Sequence, residues 1–181
     1  SRRNSLESVA LFSLKQEALA SIGGSTFTDD NDDAVNRFLE KAKEADGFVF
    51  GTPVYFAHPS GQILSFLNRV FYSSAVGELY PVFAGKPGAA IASARRGGTT
   101  AAVDVIQKYF GIASMPIVTS TYWNMVHGMT PDEVRKDLEG MQTMRNIGRN
   151  MAWMLKGFAK QEKETSFADH VEATHRTDFH H

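Results

Sequence analysis

The feature that most constrains the fold is an alternation of short apolar runs with longer helical patterns. Each run is closed by a loop marked with glycine, proline or bulky polar residues. Phe48-Val49-Phe50 is closed by Gly51-Thr52-Pro53, Gly88-Ala89-Ala90-Ile91-Ala92 by residues 93–99, and Pro116-Ile117-Val118-Thr119-Ser120 by residues 121–128. These runs are apolar on both faces rather than alternating, as strands covered on both sides are. The stretches between them carry the helical period. Ala34, Val35, Phe38, Leu39, Ala42 and Ala45 follow it, behind the acidic run Asp29-Asp30-Asn31-Asp32-Asp33, which suits a helix start. Ile63, Phe66, Leu67, Val70 and Phe71 follow it over residues 60–72 with Ser60 as N-cap, and Ala102, Val103, Ile106, Tyr109 and Phe110 over 100–110. Strand, helix, strand, helix, strand predicts an α/β domain: a doubly wound, mainly parallel sheet with helices on both faces. In such sheets ligands bind beyond the carboxyl ends of the strands.

The ends of the chain are less regular. Thr130-Pro131-Asp132-Glu133 reads as a helix start, with a last helical stretch reaching about Phe158 and a stripe of Met141, Met144, Ile147, Met151, Met154 and Leu155. That stripe suits core or subunit interface better than a cofactor box. Near the start, Val9-Ala10-Leu11-Phe12-Ser13-Leu14 reads as a strand, or residues 6–19 as one helix. From Lys160 the chain turns polar, so residues 1–160 are expected to form one domain and 161–181 a tail or arm.

Composition removes several function classes. The chain of 181 residues has 19 Lys and Arg against 20 Asp and Glu, a net charge of −1, so nothing draws it globally to nucleic acid or acidic membranes. No apolar run reaches the ~18 residues of a membrane span. Ser1-Arg2-Arg3-Asn4-Ser5 has no apolar core behind its basic pair, unlike a secretory signal, and a cytoplasmic protein is expected. There are no cysteines, which removes disulfides, thiolate zinc sites, iron–sulfur ligation and cysteine nucleophiles from these residues. The six histidines do not frame a metal site, and no Gly-x-Ser-x-Gly elbow is present.

Three loops remain as carriers of chemistry. The first, residues 52–60, offers backbone amides and the flat surfaces of Tyr55 and Phe56; either it receives a heterocycle or its aromatics pack into the core. The second, Ser93-Ala94-Arg95-Arg96-Gly97-Gly98-Thr99, joins adjacent glycines and forked arginine donors to a helix start, which favours a negatively charged ligand. It is neither a P-loop nor the dinucleotide fingerprint, and its plainer reading is a surface turn with solvated arginines. The third, with Tyr122, Trp123, Asn124 and His127, is covered by a ligand, by a second subunit, or by the core itself.

Taken together these loops resemble the NAD(P)H-dependent FMN reductase family, whose fold is flavodoxin-like. Gly51-Thr52-Pro53-Val54-Tyr55-Phe56 followed by Pro59-Ser60-Gly61-Gln62 resembles that family's second flavin loop, and Phe66-Leu67-Asn68-Arg69-Val70-Phe71 its helix, with Asn68 where the family usually has Asp. The segments 85–90 and 93–100 resemble the next strand and flavin loop, and Tyr122-Trp123-Asn124-Met125-Val126-His127-Gly128 with Gly148-Arg149-Asn150-Met151-Ala152-Trp153 marks of the multimeric flavodoxin branch. The resemblance covers about residues 29–160.

It implies a bound FMN, with the ring along Thr52, Pro53, Val54, Tyr55 and Phe56 and against Ser93, Ala94, Arg95, Arg96, Gly97 and Gly98. Tyr122 and His127 join this expected cofactor set, as do Ser1, Arg3, Asn4 and Ser5 as the remnant of a phosphate loop. It also implies NAD(P)H as co-substrate, a quinone, free flavin or protein as acceptor, and no side-chain acid or base. A homo-oligomer, dimer or tetramer, is expected because the loop 122–127 and the methionine stripe call for cover and the polar tail can wrap a neighbour. The alternative is a flavodoxin-type carrier that never oxidises nicotinamide; a third reading is a nucleotide-binding or scaffold protein without flavin. The family begins with a strand ahead of its phosphate loop, and in the strand order 2-1-3-4-5 that strand is central, so the natural protein is expected to have residues ahead of Ser1. The family's frequent cysteines have no counterpart at Ser21-Ile22-Gly23-Gly24, which speaks against its iron–sulfur branch.

Overall fold

The computed structural model describes residues 9–11, 34–76 and 82–160. Ser1, Arg3, Asn4 and Ser5, the acidic run at 29–33 and the tail 161–181 lie outside the described residues. Four strands run parallel in the order β1 (Val9–Leu11), β2 (Gly47–Tyr55), β4 (Gly88–Ala94) and β5 (Met125–His127). A two-residue strand, β3 (His58–Pro59), folds back antiparallel onto the end of β2. The helices are α1 (Ala34–Glu44), α2 (Gly61–Val76), α3 (Thr99–Ile112), α4 (Pro131–Lys136) and α5 (Leu138–Phe158).

Side-chain alternation along the strands sorts the molecule into two layers around the sheet. Phe48 and Phe50 of β2 and Ala90 and Ala92 of β4 pack with α1, α2 and α3 in one cluster. Its centre is aromatic: Phe38 meets Phe66 edge-on at 5.2 Å between ring centroids, and Phe71 stacks on Phe83 at 4.7 Å. On the other side Ala89 and Val118 pack under Ile147, Met151 and Leu155 of α5. The helical methionine stripe therefore belongs to the core: Met151 is buried and Met144 and Met154 lie against it. Small side chains on β4 let helices approach the sheet from both sides, which is the doubly wound architecture that the run pattern predicts.

The structure corrects four boundaries. β2 continues past Gly51 to Tyr55, and β4 past Ala92 to Ala94, because Gly51, Thr52 and Pro53 stay in parallel register with Ile91, Ala92 and Ser93. The strand expected at 116–120 is reduced to a single bridge between Ile117 and Gly88, and the paired strand comes later, at β5. The last helical stretch is two helices, broken at Asp137. Near the start, of the two readings offered, the strand holds over Val9–Leu11, which pairs directly with β2, Val9 opposite Gly47, with no described strand between them. α2 and α4 start as predicted: the Ser60 hydroxyl accepts the Ile63 amide at 3.3 Å and the Thr130 hydroxyl the Glu133 amide at 3.2 Å.

Candidate functional site

The carboxyl ends of β2, β4 and β5 lie side by side, and the predicted loops meet there. Thr52, at the end of the buried part of β2, spends its hydroxyl on the scaffold. It accepts the Ser60 amide at 3.0 Å and donates to the Pro53 carbonyl at 2.8 Å. This ties the outgoing strand to the start of α2. Beyond it the chain turns at once: Tyr55 pairs with His58, so Phe56 and Ala57 alone form the hairpin loop.

Both turn residues have positive φ, 53° at Phe56 and 62° at Ala57. A two-residue hairpin loop of the primed type demands this, and Asn-Gly is its usual sequence. For residues with a Cβ it costs on the order of 1–2 kcal/mol each. Strain of this kind persists only where the surroundings fix it. Here the fixing element is Gly98, at φ 92°: a Cβ on it would lie 2.7 Å from the Ala57 Cα and 3.0 Å from a Val54 methyl. The hairpin and the loop after β4 are thus in backbone contact. Phe56 stands fully in solvent and Tyr55 is more than half exposed, so neither aromatic packs into the core.

The loop after β4 presents Arg95, Arg96 and Gly97, all exposed, and neither arginine pairs with another described residue. Gly98 is the N-cap of α3 and supplies no side-chain oxygen, so the first amides of α3 have no side-chain acceptor there. Two guanidinium groups and a helix start make this corner favourable for a negatively charged group.

At the end of β5 the Gly128 amide donates to the Ala94 carbonyl at 3.0 Å, which holds His127 beside the β4 loop. The His127 amide donates to Asp137 Oδ2 at 2.7 Å, and its imidazole Nδ1 lies 3.7 Å from the same oxygen. Asp137 Oδ1 accepts the Gly140 amide at 2.9 Å and so caps α5. The Gly140 amide and, after it, the His127 groups hold the Asp137 carboxyl below the usual carboxylate range, against the opposing push of partial burial. A side chain at Gly140 would collide with that carboxylate.

The structure therefore brings together Thr52, Pro53, Val54, Tyr55 and Phe56 with Ser93, Ala94, Arg95, Arg96, Gly97 and Gly98, and puts His127 at their border. Tyr122 stands elsewhere. Residues 118–124 bulge from the sheet edge between the bridge at Ile117 and β5, and Tyr122 lines a cleft there with α3 rather than with the hairpin. Sequence reasoning missed Ala57, whose role is conformational and leaves no motif. It also missed Asp137, for which the one signal was an Asp three residues ahead of Gly140.

Comparison with known proteins follows this geometry. A family model described as NADPH-dependent FMN reductase matches residues 4–130. An iron–sulfur flavoprotein of Methanocaldococcus jannaschii is 33% identical over 131 residues, which are 68% of this chain and 66% of that protein. An iron–sulfur flavoprotein of Archaeoglobus fulgidus is 30% identical over 134 residues, with the same shares. The chain thus spans 66% of the length of either curated relative. Among solved structures, a WrbA-like flavodoxin from Agrobacterium tumefaciens superposes with a TM-score of 0.52 at 16% identity, over 65% of this chain and 71% of that one, a likeness of fold. An iron–sulfur cluster does not fit the residues present: it is held by thiolates, and the sequence contains no cysteine. The hairpin and arginine loop do fit a flat, negatively charged cofactor, because the exposed aromatics Tyr55 and Phe56 stand beside the guanidinium groups of Arg95 and Arg96, which pair with no other described residue.

Proposed function

This chain belongs to the NADPH-dependent FMN reductase family, and on that premise we propose that it binds FMN and acts as an NAD(P)H-dependent oxidoreductase. Bound FMN would supply the redox chemistry, two-electron exchange between a nicotinamide donor and an acceptor such as a quinone or free flavin. The protein's share is position and charge. The ends of β2 and the hairpin, from Thr52 to Phe56, hold one side of the ring, Thr52 by fixing the strand end and Tyr55 and Phe56 by flat surface. Ser93, Ala94, Gly97 and Gly98 hold the other side through main chain. Arg95 and Arg96 stabilise the negative charge that gathers on the reduced cofactor or meet a phosphate of the donor. His127 borders the slot, while Ser1, Arg3, Asn4 and Ser5 are assigned to the phosphate. No side-chain acid or base is required.

The single observation that supports this reading best is the Gly98–Ala57 contact, which joins two loops into one platform. The exposed Leu138 and Trp153 suit a homo-oligomer, dimer or tetramer, as the second part of the proposal. None of the described helices is long and apolar enough to cross a membrane. A small-molecule acceptor, no nucleic-acid partner and a cytoplasmic location complete the reading. The decisive assay loads the protein with FMN and adds NADPH or NADH without oxygen or any reductase. Bleaching of the flavin absorbance is expected. A protein that stays yellow is an electron carrier, and one that takes up no FMN has neither role.

A further inference from the structure

We propose that the cleft at the sheet edge, lined by α3 and residues 119–124, is the seat of the adenosine end of the nicotinamide donor, and that Asp104 makes it prefer a free ribose 2′-hydroxyl over a 2′-phosphate. This deepens the oxidoreductase reading and rests on it. The cleft has a volume of about 410 Å³ and is lined on one side by Asp104 and Gln107 and on the other by Tyr122 and Trp123.

Its aromatic wall is built rather than loose. The Ser120 hydroxyl donates to the Thr143 carbonyl at 2.8 Å, the Asn146 amide donates to the Thr121 hydroxyl at 3.1 Å, and the Asn150 amide donates to the Thr119 carbonyl at 2.7 Å. Beneath, buried Asn124 donates to the Val118 carbonyl at 3.2 Å. Three of these bonds reach α5, so the excursion is fastened to a helix of the core. On this base Tyr122 and Trp123 meet edge to face, 4.9 Å between centroids at 70°, and are still 51% and 60% exposed. A rigid, half-exposed aromatic pair offers a face to a flat base at little entropic cost.

The opposite wall supplies polar side chains: neither that of Asp104 nor that of Gln107 bonds to another described residue. A carboxylate accepts from both hydroxyls of a vicinal diol, and repels a phosphate placed on either. Place along the helix also fits. Asp104 and Gln107 follow Gly98 by six and nine residues, roughly 9 and 14 Å along α3 at ~1.5 Å per residue. That separation lets a dinucleotide reach from the arginine loop to the cleft, with its pyrophosphate passing Arg95 and Arg96.

The test uses ADP-ribose, which carries the adenosine and pyrophosphate but no nicotinamide. The chain has two tryptophans, Trp123 and Trp153. Trp153→Phe, an exposed position, leaves Trp123 as the one tryptophan, and ADP-ribose is titrated into the FMN-loaded protein while tryptophan emission is read. A saturable change in Trp123 emission is expected, about tenfold weaker for 2′-phospho-ADP-ribose. Asp104→Asn should weaken ADP-ribose about tenfold and bring the two ligands to similar affinity. NADH bleaching of the flavin is read on the same samples. Bleaching with no response of Trp123 to millimolar ADP-ribose overturns the cleft assignment and leaves the oxidoreductase intact. Saturable binding without bleaching keeps the nucleotide site and removes the oxidoreductase. An affinity unchanged in Asp104→Asn overturns the role of Asp104. Trp123 emission that depends on protein concentration alone, and not on nucleotide, shows that a second copy covers the cleft and overturns the proposal.

Discussion

The hairpin at residues 54–59 and the excursion at 118–124 both carry exposed aromatics off the end or edge of the same sheet, yet they are held by opposite means. The hairpin is held by shape. Its turn residues sit at positive φ without being glycine, and the missing Cβ of Gly98 is what makes room for them. The excursion is held by polar bonds, from Asn146 and Asn150 and to Thr143 of α5. Contact by shape fails abruptly, because backbone cannot yield a few tenths of an ångström without the whole turn moving. Hydrogen bonds on a wet surface fail gradually, each worth only a modest net amount. A ligand platform made of main chain needs the first kind of support, and an edge wall made of side chains needs only the second.

The largest effect is expected at Gly98. Gly98→Val combines a positive φ with a Cβ inside Ala57, and should cost about 2–4 kcal/mol in denaturant unfolding. FMN affinity should fall at least tenfold in the same variant, measured while the protein is still folded. If the excursion responded as sharply to a change of its own, the contrast drawn above would be lost.

Asp137→Ala comes next. It removes the N-cap of α5 and the acceptor of the His127 amide, for about 1–2 kcal/mol. Asp137→Asn keeps an acceptor at the cap and should lose less. The folded state lowers this carboxyl's pKa, so its ionised form is the one that stabilises. That contribution is complete above the ordinary aspartate value of 3.8 and disappears as pH falls through the lower folded value. Unfolding curves of wild type and Asp137→Asn should therefore converge on acidification; curves that diverge would contradict the assignment.

Asn150→Ala should cost about 0.5–1 kcal/mol, being one exposed bond, and should leave FMN affinity unchanged. Ala57→Gly should have the smallest effect and the opposite sign. Relief of the left-handed strain slightly exceeds the added chain entropy, for a gain of about 0.5 kcal/mol in thermal or denaturant unfolding. A loss there would show that the turn is not strained.

Much of this architecture was legible because local and global preferences agree. The period of Phe38, Leu39 and Ala42 gives α1, and the small residues of 88–92 give a strand tolerant of cover on both faces. The Gly97-Gly98 pair marked the right loop for close backbone approach. The hairpin was not legible, because Phe56-Ala57 carries no primed-turn signature and takes that shape only against Gly98. The fifth strand was displaced for a related reason. Pro116-Ile117-Val118-Thr119-Ser120 has the better strand composition, but Asn150, Asn146 and Thr143 hold 119–121, and pairing with β4 resumes only at Met125. Asp137 was hidden among other acids, since only the fold shows that one of them faces both Gly140 and His127.

The central claim, that hairpin and arginine loop form one platform for a flat cofactor, is tested most directly by equilibrium titration of FMN into the protein and into Gly98→Val. The account predicts quenching of FMN emission that saturates at one FMN per chain in the first and is weakened at least tenfold in the second. Equal binding by both, or none by either, would contradict it.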